Sequence, residues 1–146
     1  MTGIIALGSS SSNNDMVVSA QVNMAGLSPS SPPIHQQGSV TVSLPGQSQR
    51  SWSIKVKADD ITGGYMTEFD TSNNNYIKIN EKKLNTPMFV WIDENNKADL
   101  SKGETLLKSG KGSGTFIVHF EQAAVWGDAA LPQGREYHMT IKFTLS

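Results

Sequence analysis

Period-two alternation runs through this chain from near its start to its end, and no other feature limits the fold as much. In the segment 137–145, Tyr137, Met139, Ile141, Phe143 and Leu145 alternate with His138, Thr140, Lys142 and Thr144. A strand points successive side chains to opposite faces, so this spacing predicts one apolar face turned inward and one polar face turned out. Trp52, Ile54 and Val56 alternate in the same way with Ser51, Ser53, Lys55 and Lys57, and Phe116, Val118 and Phe120 repeat the pattern after a glycine-rich turn. Val40, Val42 and Leu44 predict a short strand before Pro45-Gly46, and residues 76–79 another after Asn73-Asn74-Asn75. Met88, Val90 and Ile92 alternate with Phe89 and Trp91, so this strand is apolar on both faces, as a central or covered strand is. Only residues 99–108 and 121–126 leave room for a helical turn.

About seven short strands with turn signals between them predict an all-β chain, and more narrowly an immunoglobulin-like β-sandwich. Its expected core is Trp52, Ile54, Val56, Phe116, Val118, Phe120, Tyr137, Met139, Ile141 and Phe143. With 146 residues there is material for one domain and not for two of ordinary size.

Composition narrows the function classes. A formal net charge of -1, with both signs scattered, gives no electrostatic footprint for nucleic acid or an anionic membrane. No run of apolar residues is long enough for a membrane helix. The chain has no cysteine, which excludes disulfides, thiolate metal sites and cysteine nucleophiles. Charged residues make up 17% of the chain against abundant Ser, Thr, Asn, Gln and Gly, a balance that suits an exported β-protein. Without a secretory signal segment, the expectation is an extracellular protein in mature form, Met1 being an added initiator.

Catalysis needs a nucleophile, a base and a stabiliser held together, and no such set is legible; the chain is expected to be no enzyme and to carry no cofactor. His35 lies in a proline-rich segment, while His119 and His138 fall on polar strand faces. Pairing of the last two across neighbouring strands would supply two metal ligands without a third, so solvent exposure is the expectation and no metal site is assigned. Asp93, Asn95, Asp99 and Glu104 have the spacing of a calcium loop, but Lys97 stands where an oxygen ligand is required and Ala98 where the turn glycine belongs. The run Gly110 to Gly114 lacks phosphate-loop spacing and precedes a strand, which makes it a turn. Tyr65, Tyr76, Trp91 and Trp126 are candidate ligand platforms, although aromatic residues of small sandwiches serve mostly as core or subunit contacts.

One constellation carries a mechanism. Met16, Val18, Ala20, Val22 and Met24 alternate with polar neighbours, and a Ser/Pro-rich stretch separates them from the next strand, far longer than the usual connection of about 4–6 residues. A tethered strand can leave its own domain and fill a neighbour's groove by main-chain pairing, its alternate side chains acting as knobs. The division expected is therefore an extension over 1–24 with the candidate donor strand, a Ser/Pro-rich linker over 25–38 and the sandwich over 39–146. Ile4, Ile5 and Leu7 form a second, smaller apolar patch and are the alternative donor, ranked below Met16–Met24 because their alternation is shorter. The stretch 8–15 between the two is rich in serine and asparagine and is expected to be a flexible linker.

Three stretches carry a family resemblance: 15–22 (DMVVSAQV), 52–66 with its Trp52-Ser53-Ile54-Lys55-Val56 and Thr62-Gly63-Gly64-Tyr65-Met66, and 131–145 opened by Leu131-Pro132-Gln133-Gly134-Arg135-Glu136-Tyr137. Together they resemble fimbrial subunits of the bacterial chaperone-usher class, the cysteine-free polyadhesin type above all. The resemblance implies an incomplete immunoglobulin-like fold completed by the N-terminal extension of another subunit, in a surface fibre that mediates attachment. It implies as partners copies of the same chain, a periplasmic chaperone and an outer-membrane usher during assembly, and a host receptor or glycan. The Trp52 strand and the last strand also resemble WxL-type surface β-sandwiches, which would imply cell-wall association by a monomer. A phage structural sandwich is the third alternative.

Overall fold

The computed structural model describes residues 1–10 and 15–146. In chain order its strands are β1 (Thr2–Ser10), β2 (Met16–Val18), β3 (Gln21–Ala25), β4 (Ile34–Val42), β5 (Ser51–Ala58), β6 (Thr67–Asp70), β7 (Asn75–Tyr76), β8 (Phe89–Trp91), β9 (Ala98–Asp99), β10 (Thr105–Lys111), β11 (Gly114–Gln122) and β12 (Arg135–Leu145). A 3-10 turn covers Leu100–Lys102, and among the described residues no α-helix occurs. The strands form two curled sheets packed face to face as a β-sandwich. One has the order β10-β5-β12-β1-β3, with β6 and β7 added beside β12; the other has the order β2-β4-β11-β8-β9.

The longest strand organises the first sheet. On one side the C-terminal half of β12 pairs with β5 and its N-terminal half with β6, while β1 runs along the other side. Tyr137, Met139, Ile141 and Phe143 are fully buried, and so are Ile54 and Val56 beside them. Val40, Val42, Val90, Val118 and Phe120 enter the same core from the second sheet. Trp52 is buried, and its indole N–H donates to the Gly112 carbonyl at 2.7 Å. Gly110 lets the ring lie flat, since a Cβ there would stand 2.6 Å from it. Phe116, expected inside, is only partly buried and meets Trp52 edge-on.

Three departures from the sequence expectation have local causes. Residues 16–24 do not form one strand: Met16–Val18 pairs with β4 in the second sheet and Gln21–Ala25 with β1 in the first. The chain changes sheets at Ser19-Ala20, where Ser19 holds Ser39 through both backbone and hydroxyl. Met16, Val22 and Met24 reach the core; Val18 is half-buried and Ala20 exposed at the crossing.

The Ser/Pro linker is also shorter than the stretch 25–38, because β4 begins at Ile34. Gly38 takes an inward position in that strand, and the Phe120 ring occupies the place of its missing side chain, 3.3 Å from where a Cβ would sit. Period two is therefore hidden exactly where apolar bulk comes from across the sheet. Finally, β1 extends through Gly8, Ser9 and Ser10, expected as linker; residues 11–14 of that stretch lie outside the described residues.

Candidate functional site: the seat of the first strand

β1 is an interior strand of the first sheet although it comes first in the chain. It pairs in parallel with β12 from Gly3↔Tyr137 to Ser10↔Thr144, and antiparallel with β3 from Thr2↔Ala25 to Ala6↔Gln21. The ladder continues past the strand ends: Met1 and Leu27 exchange both backbone hydrogen bonds, at 2.9 and 3.0 Å, and the Leu7 amide donates to the Ala20 carbonyl at 3.1 Å. Neighbouring strands lie about 4.8 Å apart, so removing β1 would leave β12 and β3 separated by about two such spacings, too far to hydrogen-bond.

The side chains of β1 divide between two faces. Gly3, Ile5 and Leu7 turn toward the core, Ile5 fully buried and Leu7 partly so. Gly3 leaves a hollow that Met66 fills; a Cβ at Gly3 would stand 2.8 Å from the Met66 methyl. Ile4, on the opposite face and half-buried, lies level with His138 of β12. His138 stacks on Phe69 with ring centroids 4.1 Å apart, and Tyr76 closes the cluster edge-on at 5.5 Å. Burial holds the His138 imidazole below its ordinary pKa, with Asp59 pulling weakly the other way.

Most polar groups around this seat are tied up in the fold, although His138 Nδ1 is buried without a hydrogen-bond partner. Asp59 accepts from the Tyr76 hydroxyl at 2.6 Å, from the Thr140 amide at 2.8 Å and from the Thr62 amide at 2.7 Å. Burial, followed by this carboxylate, raises the pKa of Tyr76. Burial likewise pushes Tyr137 up to about 12, with Asp128 and Glu68 adding to it. Glu68, almost fully buried, meets Arg135 at 2.6 Å and accepts the Lys82 amide at 3.1 Å.

Both donor candidates thus lie around one seam. Ile4, Ile5 and Leu7 form the strand in the middle, and Val22 and Met24 belong to the strand that flanks it. Sequence reasoning ranked the flank first because it is longer; β1 hides its inward face behind Gly3, which carries no hydrophobic signal. The other candidates do not converge. His119 sits on β11 in the second sheet and His138 on β12 in the first, so the two do not pair; His119 instead meets His35. In the calcium-like loop Asp93 pairs with Lys108 at 3.2 Å, while Asp99 caps the 3-10 turn by accepting from Ser101. Tyr65 is half-buried, Trp91 is buried under His35, His119 and Lys97, and Trp126 is largely exposed. An open groove of about 490 Å³ over β5 and β12 is lined by a mixture of charges, Lys57, Asp59, Asp60, Glu104 and Lys142 among them. No protein-family model matches the chain, and no curated protein is significantly similar to it.

Proposed function

We propose that the chain is a structural or adhesive subunit of a surface fibre, an immunoglobulin-like sandwich whose missing strand is supplied by the N-terminal segment of another copy. The observation that carries this reading is the position of β1. It is paired on both sides and fills a core position with Ile5. A segment so placed can be replaced by the same segment of a neighbour with every contact kept. Exchange of β1 would leave β2 and β3 where they are, whereas exchange of 16–24 would disrupt both sheets. Within this reading Ile4, Ile5 and Leu7 therefore replace Met16, Val18, Ala20, Val22 and Met24 as the donor. Assembly by a periplasmic chaperone and an outer-membrane usher, attachment to a receptor or glycan and an extracellular location belong to the same proposal.

Deleting residues 2–10 tests it. The shortened chain should lose cooperative unfolding or solubility, and a synthetic peptide of residues 1–10 should restore both when added in trans. A shortened chain as stable as the full one would overturn the proposal. The second reading, a monomeric surface-binding module, is favoured by the eight-residue register of β1 with its own β12. It predicts a monomer at every concentration by size exclusion and no filaments by electron microscopy.

A further inference from the structure

The outer face of the second sheet carries a pair of imidazoles that the fibre reading does not use. His35 on β4 and His119 on β11 point away from the core, and His35 Nε2 lies 2.8 Å from His119 Nδ1. The two rings are side by side, centroids 5.0 Å apart, and both lie nearly parallel to the indole of Trp91 at 5.4 Å. Trp91 is 3% exposed, yet its indole N–H has no hydrogen-bond partner. At this distance one ring nitrogen donates its hydrogen to the other, the tautomer deciding which. The same spacing is close to what one metal ion requires: zinc–imidazole bonds of about 2.0 Å at a tetrahedral angle set their nitrogens about 3.3 Å apart.

A third donor stands next to the pair. Glu121 is the direct cross-strand partner of His35 and lies two residues beyond His119, on the same outer face. Two positions on one strand and the opposite position on its neighbour form a compact triangle, with directly opposed Cβ atoms about 5 Å apart. Among the described residues no three such groups converge in their present rotamers, so the Glu121 carboxylate must swing inward. Lys97 stands over the same indole, its ammonium 4.3 Å from the Trp91 ring centroid and its side chain solvent-exposed.

We propose that His35, His119 and Glu121 form a surface site for a divalent late transition metal such as zinc. Imidazole and carboxylate are the ligands such ions take, and water completes a four-coordinate shell. Binding moves no net proton off a neutral pair: the donated hydrogen passes to the other nitrogen of its own ring, which frees both facing lone pairs. This proposal is independent of strand exchange, because β4 and β11 lie in the second sheet and neither pairs with β1.

Titration of the full chain with zinc chloride, followed by calorimetry, tests it. One ion per chain should bind, and His35→Ala or His119→Ala should each weaken binding by roughly 100-fold, the upper end of what losing even an outer-shell partner costs a metal site. Glu121→Gln should weaken it by roughly tenfold, and His138→Ala should leave it unchanged. On the unmodified protein, zinc should shift the ring-proton resonances of His35 and His119 and spare those of His138, a readout that needs no variant to fold. No saturable binding, or binding undiminished by both histidine substitutions with unshifted His35 and His119 resonances, would overturn the assignment.

Discussion

Ile5 of the first strand lies level with Met139 of the last in a parallel register, and both side chains are fully withdrawn from solvent. The two ends of the chain are thereby joined in one sheet, and the core is complete only while both are present. Truncation at Ile5 should be costly. Ile5→Ala should lower the unfolding free energy by about 2–5 kcal/mol, whereas Ile4→Ser on the opposite, half-exposed face should cost less than half of that. Chemical denaturation of both variants checks the contrast.

Gly64 is held at φ +99, and a Cβ there would come within 2.5 Å of the Leu100–Ser101 backbone. Backbone cannot yield as a flexible side chain can. Gly64→Ala should therefore destabilise by about 3 kcal/mol, from overpacking and a left-handed conformation together. By comparison Gly63→Ala, at φ +58 with open space beside it, should cost about 1 kcal/mol. Thermal unfolding of the two variants separates the clash from the strain.

Glu68 and Arg135 join β6 to the start of β12 at 2.6 Å. The carboxylate is the more buried partner, with its side chain 7% exposed against 32% for the guanidinium. Arg135→Met should therefore cost about 3 kcal/mol, because it strands a buried charge. The double variant Glu68→Gln with Arg135→Met should recover part of that loss in denaturant unfolding.

His138 makes stability depend on pH. Its folded-state pKa lies below the ordinary value of 6.5, chiefly through burial. The unfolded chain then binds the proton more readily than the folded one, so this contribution is present above about pH 6.5 and is lost as pH falls through the folded-state pKa. Unfolding midpoints measured from pH 8 down to pH 5 should fall more steeply for the native protein than for His138→Gln.

Much of the sandwich was legible in the residues themselves. Tyr137–Phe143 and Trp52–Val56 keep strict alternation because each is buried on one face against a full sheet. The less legible strands lack that signal for physical reasons. β10 buries Leu107 alone, and a register shift between Leu106 and Lys108 breaks its period. β6 buries Glu68 through its ion pair, so a core position reads as polar. The seam around β1 was half legible. Both apolar segments were visible, but Gly3 gave no sign of facing Met66, and nothing in 16–24 marks Ser19-Ala20 as the point where the chain crosses between sheets.

The absence of cysteine makes strand exchange directly measurable by crosslinking. Ile4 and Asn23 lie opposite each other across β1 and β3, so Ile4→Cys and Asn23→Cys can be placed in separate chains, unfolded, mixed, refolded and oxidised. The account predicts disulfide-linked dimers joining one variant to the other, and longer covalent chains when both substitutions are carried by one polypeptide. If the mixture of single variants gives no such dimers while the double variant closes a bond within its own chain, β1 stays at home and the exchange reading is contradicted.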